Sequence, residues 1–253
     1  MKKKLIRVSV IVIAVLILGV GGFLGWFFYQ VRQMHPAETA KISDALFVVK
    51  GSICNIYLVK TGDGFVAFDA GDDPEKIAKG CKALSIDPLS VKAVFLTHSD
   101  ADHVDGLPAF PKARVYLSSD EVPLLQDKSH RHFLGMGHQN RLPVSNYSVL
   151  SGGDAVDIGG LTVYAIATPG HTQGSMSYRA GDSLFTGDLC MIVNGLVQPM
   201  IGIFTEDMAM DAASIRKIAG LADFSRLCTA HSGCTENLAK ALAAWRKKQG
   251  AGK

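Results

Sequence analysis

The first 34 residues contain no Asp or Glu, and from Val8 to Tyr29 there is no charged residue of either sign. That run also lacks a polar face, which argues against a core helix of a soluble domain. Its 22 residues are enough to span a bilayer core at about 1.5 Å rise per residue. A basic head, Lys2, Lys3, Lys4 and Arg7, precedes it, and Trp26, Phe27, Phe28 and Tyr29 form an aromatic belt at the far end. Basic residues stay on the cytoplasmic side, so the remaining chain is expected outside the cell membrane, tethered by a single pass. The alternative is secretion after cleavage of a signal peptide. Gly22 is a poor cleavage residue, and the apolar run continues past it to Tyr29. The expected organisation is residues 1–34 for head, anchor and start of the linker, 35–43 for the linker, and 44–253 for one domain.

Positive charge is also scarce beyond the anchor. Five basic residues and no acid precede residue 35, against a whole-chain net of +3, so the remainder stands at −2. No basic patch points to nucleic acid. A small-molecule substrate is the expected partner, besides the membrane; nothing in the composition sets an oligomeric state. Cysteine is limited to five residues, an odd number, so at least one is free or paired between chains. Cys228 and Cys234 flank His231 and form either a disulfide or two small apolar positions. Cys190 follows Asp188 by two. In extended chain it faces the same side, as a thiol near the site or as a buried structural residue.

What the chain does contain is His98-Ser99-Asp100-Ala101-Asp102-His103, four metal-capable side chains in six positions. They follow Val91 to Leu96, a β-branched apolar run that reads as a buried strand. Imidazole with carboxylate suits zinc, manganese or iron. His98 and Asp100 alternate and can point one way; Asp102 and His103 are adjacent and point apart, which suits two neighbouring metals. The plain alternative is a polar loop with a capping aspartate before a helix.

Around this stretch, strands and helices alternate as in an α/β layered domain. Ala45 to Val49, Ile53 to Lys60 and Phe65 to Asp69 are strand-like, and Asp73-Pro74-Glu75 opens a helix with Asp73 as its cap. Asp69 is either a hydrogen-bond acceptor behind the metals or a turn former. Val104 to Phe110 reads as a short helix, Ala113 to Leu117 as a strand, and Ser118-Ser119-Asp120-Glu121 as a helix cap. Residues 128–146 lack periodicity and read as a lid or substrate loop. Their His130, His132 and His138, with Arg131, Gly135 and Gly137, are solvated polar residues or a third metal site. His171 sits in a Pro-Gly turn at a strand end, and Asp188 ends another strand. Asn194 to Phe204 reads as a loop, Glu206 to Leu221 as a helix, and Glu236 to Lys248 as a closing amphipathic helix with Trp245 on its apolar side.

Thr97-His98-Ser99-Asp100-Ala101-Asp102-His103, Pro169-Gly170-His171-Thr172, Gly187-Asp188 and Ala230-His231-Ser232-Gly233 follow in the order and spacing of a known family. The chain resembles the metallo-β-lactamase-fold hydrolases over roughly residues 44–248. The resemblance implies an α/β fold, a four-layer αβ/βα sandwich with metals at one edge, here preceded by the transmembrane helix. It implies two divalent metal ions, zinc first. His98, Asp100 and His171 would hold one; Asp102, His103 and His231 the other; Asp188 would bridge both. A hydroxide shared by the metals would attack an ester, thioester, lactone or amide-like substrate, with Asp102, His103 and Asp188 as the catalytic residues.

The departure is Asp100, which stands where the usual His-x-His-x-Asp-His pattern has its second His. A harder, charged ligand admits iron or manganese and can displace the first metal. A carboxylate at this place also resembles the flavodiiron proteins, so a di-iron redox protein is the rival enzyme. A non-catalytic metal-binding or sensor domain is the rival outside enzymes. The chain lacks the extra C-terminal helical domain expected of glyoxalase II, and a flavodoxin domain.

Overall fold

A computed structural model describes residues 2–133 and 136–250 of the chain. Gly135, and the side chains of Lys2, Lys3, Lys4, Arg7 and His138, lie outside the described residues. The chain divides into two compact units, Met1–Met34 and His35–Lys253. In the first, helix α1 (Lys2–Val31) contains Val12–Val31, with mean hydropathy 2.2, long and apolar enough to cross a membrane by length and composition.

The second unit opens with strands β1 (Ala40–Lys41), β2 (Leu46–Lys50), β3 (Asn55–Lys60) and β4 (Phe65–Phe68), then helix α2 (Pro74–Ala83) and strand β5 (Val91–Phe95). Asp73 caps α2 through its carboxylate, which accepts from the amides of Glu75 and Lys76. The expected helix over Val104 to Phe110 is instead two single turns, α3 (Ala101–Val104) and a 3₁₀ turn at Leu107–Ala109. Gly106 lies between the two turns, packed so close to the Ala70 carbonyl that a Cβ there would collide with it. Strand β6 (Arg114–Ser118) and helix α4 (Val122–Leu125) follow. The aperiodic stretch then folds partly into a hairpin, β7 (Arg131–Phe133) and β8 (Met136–His138), before β9 (Ser148–Leu150). Strands β1 to β6 and β9 make one sheet.

The second sheet comprises β10 (Ala155–Ile158), β11 (Leu161–Ala167), β12 (Met176–Ala180), β13 (Ser183–Phe185), β16 (Arg226–Thr229) and β17 (Gly233–Thr235). Between β13 and β16, Asn194 to Phe204 is not all loop. Its first part pairs β14 (Cys190–Val193) with β15 (Leu196–Pro199), because Asn194 and Gly195 both take positive φ and make a tight turn. Helix α5 (Met208–Ala219) starts from the Asp207 cap. The closing helix is split into α6 (Leu238–Ala241) and α7 (Ala243–Gly250).

Strand alternation assigns the layers. Val48, Tyr57, Phe68 and Phe95 face inward and pack on Val163, Tyr178 and Phe185 of the other sheet. Their neighbours Val49, Ile56, Ala67 and Val94 face outward onto Ile77 and Cys81 of α2. On the far side, Leu184 and Leu227 pack on Ile215 and Ile218 of α5 and on Trp245 of α7. The result is the four-layer αβ/βα sandwich that the motifs implied. Two tyrosines tie the sheets together at one end. Tyr57 donates to the Thr229 carbonyl at 2.8 Å, and Tyr178 to the Leu96 carbonyl at 2.9 Å. Strands β4, β5 and β6 run parallel, as do β13 and β16, so their C-terminal ends gather there.

Candidate metal centre

Each parallel strand delivers polar residues as it ends. Asp69 follows β4, Thr97 and His98 follow β5, Asp188 follows β13 and His231 follows β16. His171 comes from the turn between β11 and β12, and Asp102 and His103 from α3. The structure thus brings all seven sequence-selected residues into one cluster. Three groups of donor atoms within 4.8 Å of one another run through it: His98, Asp100, His171; Asp102, His103, His231; and His98, His103, Asp188.

The ring orientations are set from behind. His103 Nδ1 lies 2.9 Å from Asp69 Oδ2, and His231 Nδ1 lies 2.7 Å from the Ile53 carbonyl. With their protons on Nδ1, both rings turn a bare Nε2 into the cluster. His98 Nδ1 is 3.0 Å from Thr97 Oγ1. Asp69 therefore fills both roles its position suggested. It takes a turn with φ +61, and its carboxylate accepts from Thr97 N at 2.7 Å as well as holding His103. Gly187, at φ +52, lets the Asp188 loop lie against Thr97, where any Cβ would collide.

In the second ligand set, His103 Nε2 lies 3.2 Å from Asp188 Oδ1 and 3.5 Å from Asp102 Oδ2. His231 Nε2 lies 3.0 Å from Asp188 Oδ1 and 3.6 Å from Asp102 Oδ2. Donors about 2.1 Å from a tetrahedral zinc stand roughly 3.4 Å apart, so this spacing fits one cation. His103 Nε2 and Asp188 Oδ1 are buried and make no hydrogen bond. Orphaned buried donors at ligand spacing are what such a centre needs.

The first set differs. His98 Nε2 is likewise buried without a partner, 3.5 Å from Asp100 Oδ2. Asp100, however, is forked by Arg131, whose Nε donates to Oδ1 at 2.9 Å and whose Nη2 donates to Oδ2 at 2.6 Å. Asn140 Nδ2 donates to Oδ1 at 2.9 Å. His171 Nε2 lies 3.2 Å from Asp100 Oδ2 and 3.1 Å from Arg131 Nη2.

The metallo-beta-lactamase superfamily model matches residues 49–194, more than half of the chain. The chain belongs to that superfamily. Among curated relatives, the hydroxyacylglutathione hydrolase of Salmonella typhi is 29% identical over 180 residues, which cover 67% of this chain and 59% of that protein. A probable polyketide biosynthesis zinc-dependent hydrolase, BaeB of Bacillus velezensis, is 30% identical over 138 residues, 53% of each protein. The chain thus spans between half and three-fifths of the length of these relatives. Solved structures agree in fold. The metallo-beta-lactamase SMB-1 superposes with a TM-score of 0.64 at 20% identity, covering 87% of this chain and 97% of that one. A B3 metallo-beta-lactamase described as the first with an active-site glutamic acid superposes at 0.61 and 21% identity, covering 87% and 94%.

Burial pulls the His103 pKa down, but the carboxylates of Asp188, Asp102 and Asp69 outweigh it and raise it well above the usual imidazole range. Burial pushes Asp188 up, but the charges of His231 and His103 carry it well below the carboxylate range. Burial dominates at His171 and keeps its pKa low. Asp211 on α5 is a different case. Its buried oxygens have no hydrogen-bond partner, and burial, then the nearby Asp188 charge, push it up to about 8. The folded protein therefore holds a proton there that the unfolded chain sheds near pH 4, so this group's contribution to stability falls as pH rises from about 4 to 8. Asp211→Asn removes that fall. Its melting temperature relative to the parent is expected to rise steadily between pH 5 and 8.

Sequence reasoning missed the residues that hold the ligand loops. Glu121, read as a helix cap, is fully buried, and its Oε1 accepts from Ser99 N and Ser99 Oγ, both at 2.8 Å. Its Oε2 accepts from Thr172 Oγ1 at 2.7 Å. Arg131 and Asn140 come from the aperiodic stretch, whose lack of pattern was the only signal. His130 pairs with Asp127 at 2.9 Å near the surface, and His132 is exposed; neither belongs to the described metal-ligand groups. Cys228 and Cys234 are bonded as a disulfide across β16 and β17. Cys190 does not share the Asp188 side, because Gly187–Leu189 is a 3₁₀ turn and not extended chain. It is buried in the layer with Ile215 and Trp245.

Proposed function

We propose that this chain is a membrane-anchored, metal-dependent hydrolase whose substrate is an ester, thioester, lactone or amide-like carbonyl compound. The observation that carries the reading is the second ligand set, with His103 Nε2 and Asp188 Oδ1 buried, unpaired and facing His231 and Asp102. These four residues would hold a cation, which would supply Lewis acidity and activation of water at neutral pH. Zinc fits the imidazole-carboxylate donors and accords with the zinc dependence in the name of the relative BaeB. Asp102, the most open of the seven with 24% of its side chain exposed, is placed to orient water and accept its proton. Asp188 touches both ligand sets and holds His103 and His231 toward one point. The acyl-glutathione named for one relative makes thioesters the first substrate class to try.

In a second reading His98, Asp100 and His171 would hold another cation, the two-metal form that the family resemblance implied. The orphaned His98 Nε2 favours it; it requires Arg131 to leave.

The length and hydropathy of α1 support anchoring, and the Cys228–Cys234 disulfide accords with an oxidising, extracytoplasmic compartment. The test is metal removal. Dialysis against chelator is expected to abolish turnover of thioester, lactone, phosphodiester or β-lactam probes, and zinc to restore it. Metal bound at full stoichiometry with no turnover of any probe would leave a binding domain; a coloured iron protein without hydrolysis would leave a redox protein.

A further inference from the structure

We propose that the guanidinium of Arg131 takes the place of the first cation, so that the folded chain holds one resident metal, at Asp102, His103, His231 and Asp188. The inference rests on the metal-dependent reading above and departs from the two-metal form. Arg131 is only 5% exposed although it comes from a surface hairpin. All its donors are used inside. Nε and Nη2 fork Asp100. Nη1 donates to the His171 carbonyl at 2.6 Å and lies 3.3 Å from Glu206 Oε1. Nη2 also donates to the Phe204 carbonyl at 2.9 Å. A guanidinium has five N–H groups in a fixed plane, so this one has none left for a substrate. It is a fixed occupant of the site, not an arm that reads the substrate.

The donors a metal would need are spent on it. Asp100 Oδ1 accepts from Arg131 and Asn140, and Oδ2 from Arg131 with His171 Nε2 beside it. His171 Nε2 is committed in either tautomer. Protonated, it donates to Asp100; bare, its single lone pair faces Arg131 Nη2. Of the first set His98 Nε2 and His171 Nδ1 have no partner, but His171 turns its Nε2 to Asp100, so Nδ1 on the other side of the ring points away; that leaves one imidazole, which does not hold a divalent ion against water. The Asp100 substitution and Arg131 then explain each other. A carboxylate at the second His place is the partner a buried guanidinium needs, and the bidentate pair puts one fixed positive charge where the family places a dication.

The experiment is zinc content by elemental mass spectrometry, on the full chain purified in detergent and equilibrated with the same free zinc, for the parent and Arg131→Gln. One zinc per chain in the parent and close to two in the variant is the expected result. Two in the parent overturns this inference and leaves the hydrolase reading standing. One in both also overturns it, since removing Arg131 would then open nothing. None in either sinks the metal-dependent reading and this inference with it. If the variant shows no cooperative melt, a zinc titration of the stripped parent followed by native mass spectrometry decides. A single step at one equivalent supports the inference, and a second step before about tenfold excess overturns it.

Discussion

Asp102→Asn is expected to lower kcat on the best substrate by on the order of 10³-fold while moving the melting temperature by only a few degrees. The Asp102 carbonyl accepts from Cys54 Sγ, a bond that the substitution leaves in place; among the described residues its carboxylate has no hydrogen-bond partner, and Oδ2 faces His103 Nε2 and His231 Nε2 at 3.5 and 3.6 Å. Its carboxylate is partly open, so the fold loses little when the charge goes. On the proposed reading the reaction would lose a ligand charge and the group that takes the water's proton, together worth several kcal/mol of barrier, or about a decade per 1.4 kcal/mol. Zinc content, kcat and thermal melts on the same preparation make the comparison. Proportionate loss of turnover and stability would remove Asp102 from the chemistry and make it a packing residue.

Glu121→Ala is expected to do the reverse, striking stability first. The buried carboxylate joins the loop carrying His98 to the loop carrying His171, through Ser99 and Thr172. Truncation leaves the Ser99 amide and hydroxyl buried without that acceptor, while the Thr172 hydroxyl can still turn to Ser175 Oγ, at a cost of about 3–5 kcal/mol. At roughly 2–4 °C per kcal/mol for a domain of this size, the melting temperature should drop by about 10 °C. Glu121→Gln keeps the shape and one acceptor oxygen and should recover about half. A Glu121→Ala protein that melts with the parent would show that the two loops hold themselves.

Much of the site was legible because its parts are local. A metal-binding run directly after an apolar strand, a Pro-Gly-His turn and a strand ending in Gly-Asp each announce a side chain at a strand end. Parallel strands then bring their C-terminal ends to one edge, so residues as far apart as Asp69 and His231 share a cluster. An α/β layered domain was legible from the alternation of strands and helices, whereas the sorting of Val48 from Val49 and Tyr57 from Ile56 onto opposite faces is seen in the packed sheets. The closing helix was read as one piece, since amphipathic spacing runs through residues 236–248, whereas the chain turns at Leu242 and splits it into α6 and α7.

The sequence by itself determined the length of the apolar N-terminal run and the identity of the seven clustered residues, because apolar run length and motif spacing are short-range properties; the four-layer architecture came from the family resemblance those motifs carry. Only the tertiary structure decided what stands behind and beside those seven. Asp69 could be a turn or an acceptor until β4 and β5 paired and set it under His103. Glu121 looked like a helix cap until the His171 loop crossed it. Arg131 had no pattern around it at all. Its place against Asp100 depends on how an aperiodic segment packs over the sheet edge, a path set by side-chain contacts across 31 to 73 residues of sequence, and no local periodicity records such a path.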